Sequence, residues 1–147
     1  MEIYRQRRKD ADQALNLLRS GSRIFLGSGC GEPQHLVRTL AAKAGQLTDV
    51  EVIHVLSVAQ DTYTEARFAD SFRPKKFFVA AGARQAVQEG RADYAPLYLS
   101  DVPRLLRERR LPIDAALIQV TPPNEHGYVS LGVAVDVIPE NFTFEAM

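Results

Sequence analysis

Short apolar runs alternate with amphipathic stretches along this chain. Four runs have the length of buried strands and are rich in β-branched, aromatic or other apolar residues. They are Arg23–Leu26, Val50–Val58, Phe77–Ala80 and Ala115–Val120. The stretches between them place apolar residues at helical spacing, which predicts surface helices. Helices are predicted over residues 2–19, over Ala83–Glu89, and over residues 100–110 with Ser100 as N-cap. A further helix has an apolar stripe of Leu36, Val37, Leu40 and Ala44 and ends at Gly45.

The alternation predicts an α/β fold, with an open, mostly parallel sheet that carries helices on both faces. Tyr94–Leu99 is a short extended piece that contains Pro96 and is therefore expected to be an edge or irregular strand. Residues 59–73 are expected to form a loop and a short helix. Tyr128–Val137 is expected to return as a strand after the turn at 122–127, which would add a hairpin at one edge.

The composition is that of a globular domain with balanced charge. Apolar residues make up 46% and charged residues 24% of the 147 residues, which is enough to bury one core. Because 18 Lys and Arg balance 18 Asp and Glu, charge gives no basis for binding nucleic acid or an anionic membrane. We expect one domain over residues 1–137 and a C-terminal tail over 138–147, for which the sequence predicts no structure.

The cysteine count and the lengths of the apolar runs bear on localisation. The single cysteine, Cys30, excludes an internal disulfide and fits the reducing cytoplasm. No apolar run has the length of a signal peptide core or of a membrane span, so we expect a cytoplasmic protein without either.

A glycine-rich loop, Gly27-Ser28-Gly29-Cys30-Gly31, directly follows the first predicted strand. The carboxyl end of a strand in an open α/β sheet is the usual place for a ligand, and Pro33 suits the first turn of the next helix. We expect the loop amides to be unpaired and to face a cleft, where they would attract an anion or developing negative charge. The spacing fits neither a dinucleotide-binding turn nor a Walker loop. The alternative is a tight structural turn.

Other candidate residues are weaker. Cys30 would act as a nucleophile only if His126 met it in space, and a small residue in a crowded turn is the simpler interpretation. His35, His54 and His126 lack metal-ligand spacing, so no metal site is predicted. The segment 120–132 has two prolines in its turn and glycines within an otherwise strand-like run, which favours either a site or an awkward hairpin connection.

Three stretches carry a family resemblance. They are Phe25–Pro33 around the glycine loop, Phe78–Leu99 with Arg84, Glu89-Gly90-Arg91-Ala92-Asp93-Tyr94 and Pro96, and Leu111–Gly132 with Pro122-Pro123-Asn124-Glu125-His126-Gly127. At these residues the chain resembles the N-terminal half of the acetyl-CoA hydrolase/transferase family, which includes 4-hydroxybutyrate CoA-transferase. The third stretch is the most specific, and together they cover nearly all of residues 5–137.

The resemblance implies transfer of coenzyme A between an acyl-CoA and a small carboxylate, with CoA as substrate and no covalently bound cofactor. In the family a glutamate attacks the thioester, and it lies in the second half, which this chain lacks. Neither Glu32 nor Glu125 is therefore assigned that role, and no catalytic residue is predicted. The implied partner is a C-terminal CoA-transferase domain or subunit, and the complete protein is expected to be a homo-oligomer.

The chain is thus predicted to form one wall of a shared active site and to be inactive alone. The predicted substrate-binding residues are Gly27, Ser28, Gly29, Cys30, Gly31, Glu32, Pro123, Asn124, His126 and Gly127. Two alternatives remain open. One is an acyl-CoA hydrolase domain, with water as acceptor, and the other is a non-catalytic domain that binds an acyl-CoA or a carboxylate.

Overall fold

The computed structural model describes residues 2–57, 61–135 and 137. Within them a five-stranded sheet has the order β4-β3-β2-β1-β5, and every strand pair is parallel. The strands are β1 Arg23–Leu26, β2 Val50–His54, β3 Phe72–Lys76, β4 Asp93–Tyr94 and β5 Ala115–Leu117. The α-helices are α1 Glu2–Arg7, α2 Ala11–Leu15, α3 Gln34–Ala42, α4 Ala81–Gln88 and α5 Val102–Arg107. The predicted α/β class is confirmed.

The core lies on both faces of the central strands. Ile24 and Val52 belong to a buried cluster that includes residues of α2 and α3. Phe25 and Ile53 point to the other face, where they pack in a second cluster with Val102 of α5. Side chains alternate between faces along a strand, so a strand covered on both sides reads as a continuous apolar run. This is why β1 and β2 could be predicted from the sequence.

The single predicted helix over residues 2–19 is wrong. Two short helices, α1 and α2, take its place. Asp10 lies between them in an extended conformation, and its carboxylate accepts a hydrogen bond from the Gln13 amide at 2.7 Å. An aspartate in this position begins a new helix because it pairs an amide that the first turn leaves free. Leu15, at the end of α2, is buried in the core.

The third strand also differs from the prediction, since it is Phe72–Lys76 and not Phe77–Ala80. Its burial alternates along the strand, as expected for a strand with two unlike faces. Pro74 and two consecutive lysines are not typical of a strand. The strand was therefore predicted at the apolar residues that follow them. The register is set by β2, which pairs His54 with Lys76.

The remaining predicted elements occur with shifted bounds. β2 ends at His54 rather than Val58, β5 ends at Leu117 rather than Val120, and α5 begins at Val102 with Asp101 in place of Ser100 as N-cap. The short strand expected over Tyr94–Leu99 is β4, an outer strand that ends before Pro96. Among the described helices, none has the length and apolar character needed to cross a membrane.

The predicted strand over Tyr128–Val137 is not formed by the described residues of that segment. Two backbone hydrogen bonds join the arms around the preceding turn instead. The Thr121 amide donates to the Ser130 carbonyl and the Asn124 amide to the Tyr128 carbonyl, both at 2.9 Å. The segment is therefore not a strand of the sheet, although Val137 packs in the second buried cluster with Phe25 and Ile53.

Candidate functional site

A cavity of about 340 Å³ opens beyond the carboxyl ends of β1 and β2. Ser28, Gly29 and Cys30 of the predicted glycine loop form one side of it. Ligands of open parallel sheets bind at this edge, because the loops that follow neighbouring strands meet there. The structure therefore brings three of the predicted loop residues to a cavity of ligand size.

The rest of the cavity wall is apolar. It consists of Val55, Leu56, Phe78, Leu99, Val133 and Ala134. Leu56 and Phe78 are 41% and 45% exposed, although side chains of this kind are usually buried. Exposed apolar side chains grouped around a cavity are typical of a surface that binds a ligand or another domain. Sequence reasoning missed these residues because they are far apart in the chain and only the fold brings them together.

The loop is fixed to the neighbouring strands through its own amides. The Gly27 amide donates to the Leu117 carbonyl of β5, and the Gly29 amide donates to the Leu56 carbonyl beyond β2, both at 2.9 Å. Gly29 has a φ of +59°, which side chains rarely allow. A Cβ on Gly27 would lie 3.1 Å from the Gly31 carbonyl oxygen. The expectation that these amides are unpaired is therefore wrong.

The second half of the loop forms a 3₁₀ turn. The Gly31 amide donates to the Ser28 carbonyl and the Glu32 amide to the Gly29 carbonyl, each at 3.2 Å. These bonds use two more amides that were expected to be free. The amides of Ser28 and Cys30 take no part in these bonds. The loop is thus held in place by its own amides, which are not free to bind a ligand as a row.

Ser28 lines the cavity and has a buried hydroxyl within this largely apolar wall. The residue is 5% exposed, and its Oγ has no hydrogen-bond partner among the described residues. A buried hydroxyl left without a partner costs about 1–3 kcal/mol. Such a group is satisfied when a ligand or an ordered water supplies the partner. Cys30, next but one along the loop, has a free and exposed thiol.

A buried polar cluster adjoins this wall, and we call its five residues the Lys76 cluster. It consists of His54, Ser57, Asp61, Tyr63 and Lys76, all at most 5% exposed. Lys76 Nζ donates to Tyr63 Oη at 2.6 Å and to Asp61 Oδ2 at 2.9 Å. Ser57 Oγ donates to the same Asp61 oxygen at 2.6 Å. Tyr63 Oη lies 2.8 Å from Nδ1 of His54.

Burial sets the protonation states within the Lys76 cluster. Desolvation, assisted by the charge of Lys76, lowers the pKa of His54 to about 3, so its ring is neutral near pH 7. Desolvation also raises the pKa of Tyr63, and the Asp61 charge adds to this effect. The Tyr63 hydroxyl therefore keeps its proton, and the atoms within its reach are Nδ1 of His54 at 2.8 Å and Oδ1 of Asp61 at 3.4 Å. The pKa of Lys76 is lowered by burial, while Asp61 acts against this.

We expect the free energy of unfolding to fall as the pH drops from about 6.5 toward 3. In this range the His54 ring is protonated in the unfolded chain but stays neutral in the folded chain. One proton gives a slope of about 1.4 kcal/mol per pH unit in this window. Denaturant titrations between about pH 7 and 4.5 measure the slope, and the His54→Gln variant should have a smaller one. Equal slopes in the two proteins would contradict this assignment.

Other predicted site residues lie outside the cavity wall. Glu32 is 4% exposed and its charge acts on Tyr63 and Lys76, so it faces the Lys76 cluster. Gly27 and Gly31 are the buried ends of the glycine loop. A role for these residues in substrate binding stays a prediction.

The four predicted residues of the second segment lie on its turn. They are Pro123, Asn124, His126 and Gly127, and none of them lines the cavity. The Asn124 side chain shapes the turn by accepting hydrogen bonds from the amides of His126 and Tyr128, both at 3.0 Å. The His126 side chain is 69% exposed. Their place in a substrate site stays a prediction.

Comparison with known sequences gives one family. The profile of the acetyl-CoA hydrolase/transferase N-terminal domain matches residues 1–145, which extends beyond the predicted domain end at Val137. The 4-hydroxybutyrate coenzyme A transferase of Clostridium kluyveri is 37% identical over 135 residues, which are 92% of this chain and 32% of that protein. The succinyl-CoA:acetate/propanoyl-CoA:succinate CoA transferase of Fasciola hepatica is 35% identical over 87% of this chain and 27% of its own length. The chain thus spans about a third or less of these relatives.

Solved structures share the fold. RipA from Yersinia pestis superposes with a TM-score of 0.82 at 29% identity, over 90% of this chain and 33% of that chain. A 4-hydroxybutyrate CoA-transferase from Porphyromonas gingivalis superposes with a TM-score of 0.62 at 26% identity, over 89% of this chain and 29% of that chain.

Proposed function

Since the chain belongs to the acetyl-CoA hydrolase/transferase family and matches its N-terminal domain, we propose that it is the N-terminal half of an acyl-CoA:carboxylate CoA-transferase. The observation that carries the proposal is the cavity at the strand ends, where Ser28, Gly29 and Cys30 meet an apolar wall. This half supplies one wall of a shared active site in a cytoplasmic enzyme. A C-terminal domain or subunit supplies the other wall, and the complete enzyme is a homo-oligomer.

The wall suits the acyl end of the substrate. Its apolar side chains, among them Leu56 and Phe78, would contact the hydrocarbon part of the acyl group. The unpartnered hydroxyl of Ser28 would hydrogen-bond to an oxygen of the thioester or the carboxylate. An apolar cavity with one fixed polar group both binds and orients such a ligand.

The nucleophile in this proposal is a glutamate outside the chain. Its carboxylate attacks the thioester carbonyl and the CoA thiolate leaves, which gives an acyl-glutamyl anhydride. The thiolate then attacks the glutamyl carbonyl, releases the donor carboxylate and forms a glutamyl-CoA thioester. The acceptor carboxylate collects CoA by the same two steps in reverse, and the enzyme glutamate is regenerated. The cavity wall described above contains no carboxylate, in agreement with a nucleophile from the other half.

The single cysteine provides a test of binding. We expect butyryl-CoA to slow alkylation of Cys30 by a maleimide, because the thiol is exposed in the cavity wall. The Ser28→Ala variant keeps the thiol and loses one hydrogen bond to the ligand, so half-protection should need about two- to tenfold more butyryl-CoA. Mass spectrometry of the intact chain measures the alkylated fraction. Alkylation that no acyl-CoA slows would remove this cavity as the substrate site.

The second arm of the test is turnover. The purified chain alone should not transfer CoA from butyryl-CoA to acetate, whereas the chain combined with its C-terminal half should. Transfer by the lone chain would contradict the shared site. Release of CoA by the combined protein without acetate would identify the hydrolase alternative instead.

A further inference from the structure

Two turns beyond neighbouring strands form part of the cavity wall. Val55 and Leu56 follow β2, and Phe78 follows β3. The Phe78 amide donates to the Val55 carbonyl at 3.0 Å, and the Gly29 amide donates to the Leu56 carbonyl at 2.9 Å. The positions of two carbonyl groups, those of Val55 and Leu56, therefore fix three parts of the wall relative to one another.

Residues of the Lys76 cluster lie next to both of these turns in the sequence. His54 directly precedes Val55, and Ser57 directly follows Leu56, so both ends of this turn are held by buried hydrogen bonds. Lys76 ends β3, two residues before the wall residue Phe78. Because Ser57 and Lys76 both bond to Oδ2 of Asp61, one carboxylate joins the two turns.

The geometry points to a positioning role: the Lys76 cluster holds the Val55 and Leu56 carbonyls, and through them the glycine loop and Phe78, in the arrangement that forms the cavity. None of its residues lines the cavity, so they are positioning residues and not catalytic ones. Apolar side chains of similar volume would give at least as much stability as a buried ion pair. A hydrogen-bonded charge cluster instead imposes one geometry on the groups around it. Only the identification of the cavity as an acyl-CoA pocket rests on the proposed function.

The test compares two variants without any ligand. Tyr63→Phe removes the hydroxyl that joins Lys76 to His54 and leaves the ring in place. Val50→Ala is the control, because this fully buried residue begins β2 at the opposite end of the strand from His54. We expect the Gly29 and Phe78 amides to exchange with deuterium about tenfold faster in Tyr63→Phe than in the control, after correction for the measured global stabilities.

Ser57→Ala provides a second variant if Tyr63→Phe does not fold. It removes only the bond to Asp61 next to Leu56, and the Gly29 amide should again exchange faster than in the control. Exchange no faster than in Val50→Ala at these amides would overturn the inference. The outcome is separate from that of the proposed function. Cys30 that acyl-CoA does not protect, together with faster exchange in Tyr63→Phe, would refute the substrate and keep the positioning role.

Discussion

Replacing Lys76 with methionine should lower the free energy of unfolding by about 3–5 kcal/mol, which is a large part of the stability of a small domain. The Lys76 side chain is fully buried and ion-paired with Asp61, itself only 2% exposed. Methionine fills a similar volume but leaves the carboxylate without a counter-charge. Ser57 continues to donate to that carboxylate, but one neutral hydrogen bond does not replace a cation. Denaturant titration of the folded chain measures the loss.

Two matched variants show whether the lost charge is the cause. In the double variant Lys76→Met with Asp61→Asn, the buried residue is neutral and can still accept from Ser57, so the loss should be smaller than in Lys76→Met alone. Arg73→Met removes a cation from the same strand, but its partner Asp49 is 59% exposed, and the loss should stay below about 1 kcal/mol. A double variant that loses as much stability as Lys76→Met alone would show that the unpaired charge of Asp61 is not the cause.

Lys76 also shows why the sequence predicted only part of the sheet. A lysine beside Pro74 and Lys75 indicates a solvated turn, and nothing local in the sequence reveals that it is buried. Its burial depends on Asp61, which precedes it by 15 residues and follows a different strand. β1 and β2 could still be predicted because apolar residues dominate them, although β2 also contains the buried residues Glu51 and His54. The family resemblance was confirmed because it rested on segments of sequence rather than on the pairing between them.

The candidate site, like the sheet, could be predicted only in part. The position of the glycine loop after β1 predicted that Ser28, Gly29 and Cys30 lie at the edge of the sheet where the cavity opens. The pairing of the Gly27 and Gly29 amides was not predictable, because their acceptors belong to Leu117 and Leu56, which lie 27 and more residues away. Which carbonyl accepts a hydrogen bond from a given amide depends on strand order and register, and neither can be predicted from the composition.

Replacing Gly31 with alanine is expected to have the second large effect. The new Cβ would lie 2.0 Å from the Cβ of Ala134, a separation at which one of the two must move. Ala134 is 7% exposed and forms part of the cavity wall. Overpacking of this kind costs about 1–3 kcal/mol. Since the described residues of this segment form no strand of the sheet, we expect Ala134 to move and Cys30 to be alkylated faster.

A second substitution should reverse the effect. Adding Ala134→Gly to Gly31→Ala removes the clashing methyl group and leaves the Cα of residue 134 at 3.5 Å from the new Cβ, which is ordinary contact. Unfolding measurements should then show recovery to within about 1 kcal/mol of the parent, the usual cost of a new glycine. Gly45→Ala is the control, because a Cβ at Gly45 meets no atom within 4 Å. If Gly31→Ala proved as stable as Gly45→Ala, Ala134 would not pack on the loop, and the cavity would lose the wall formed by residues 133–134.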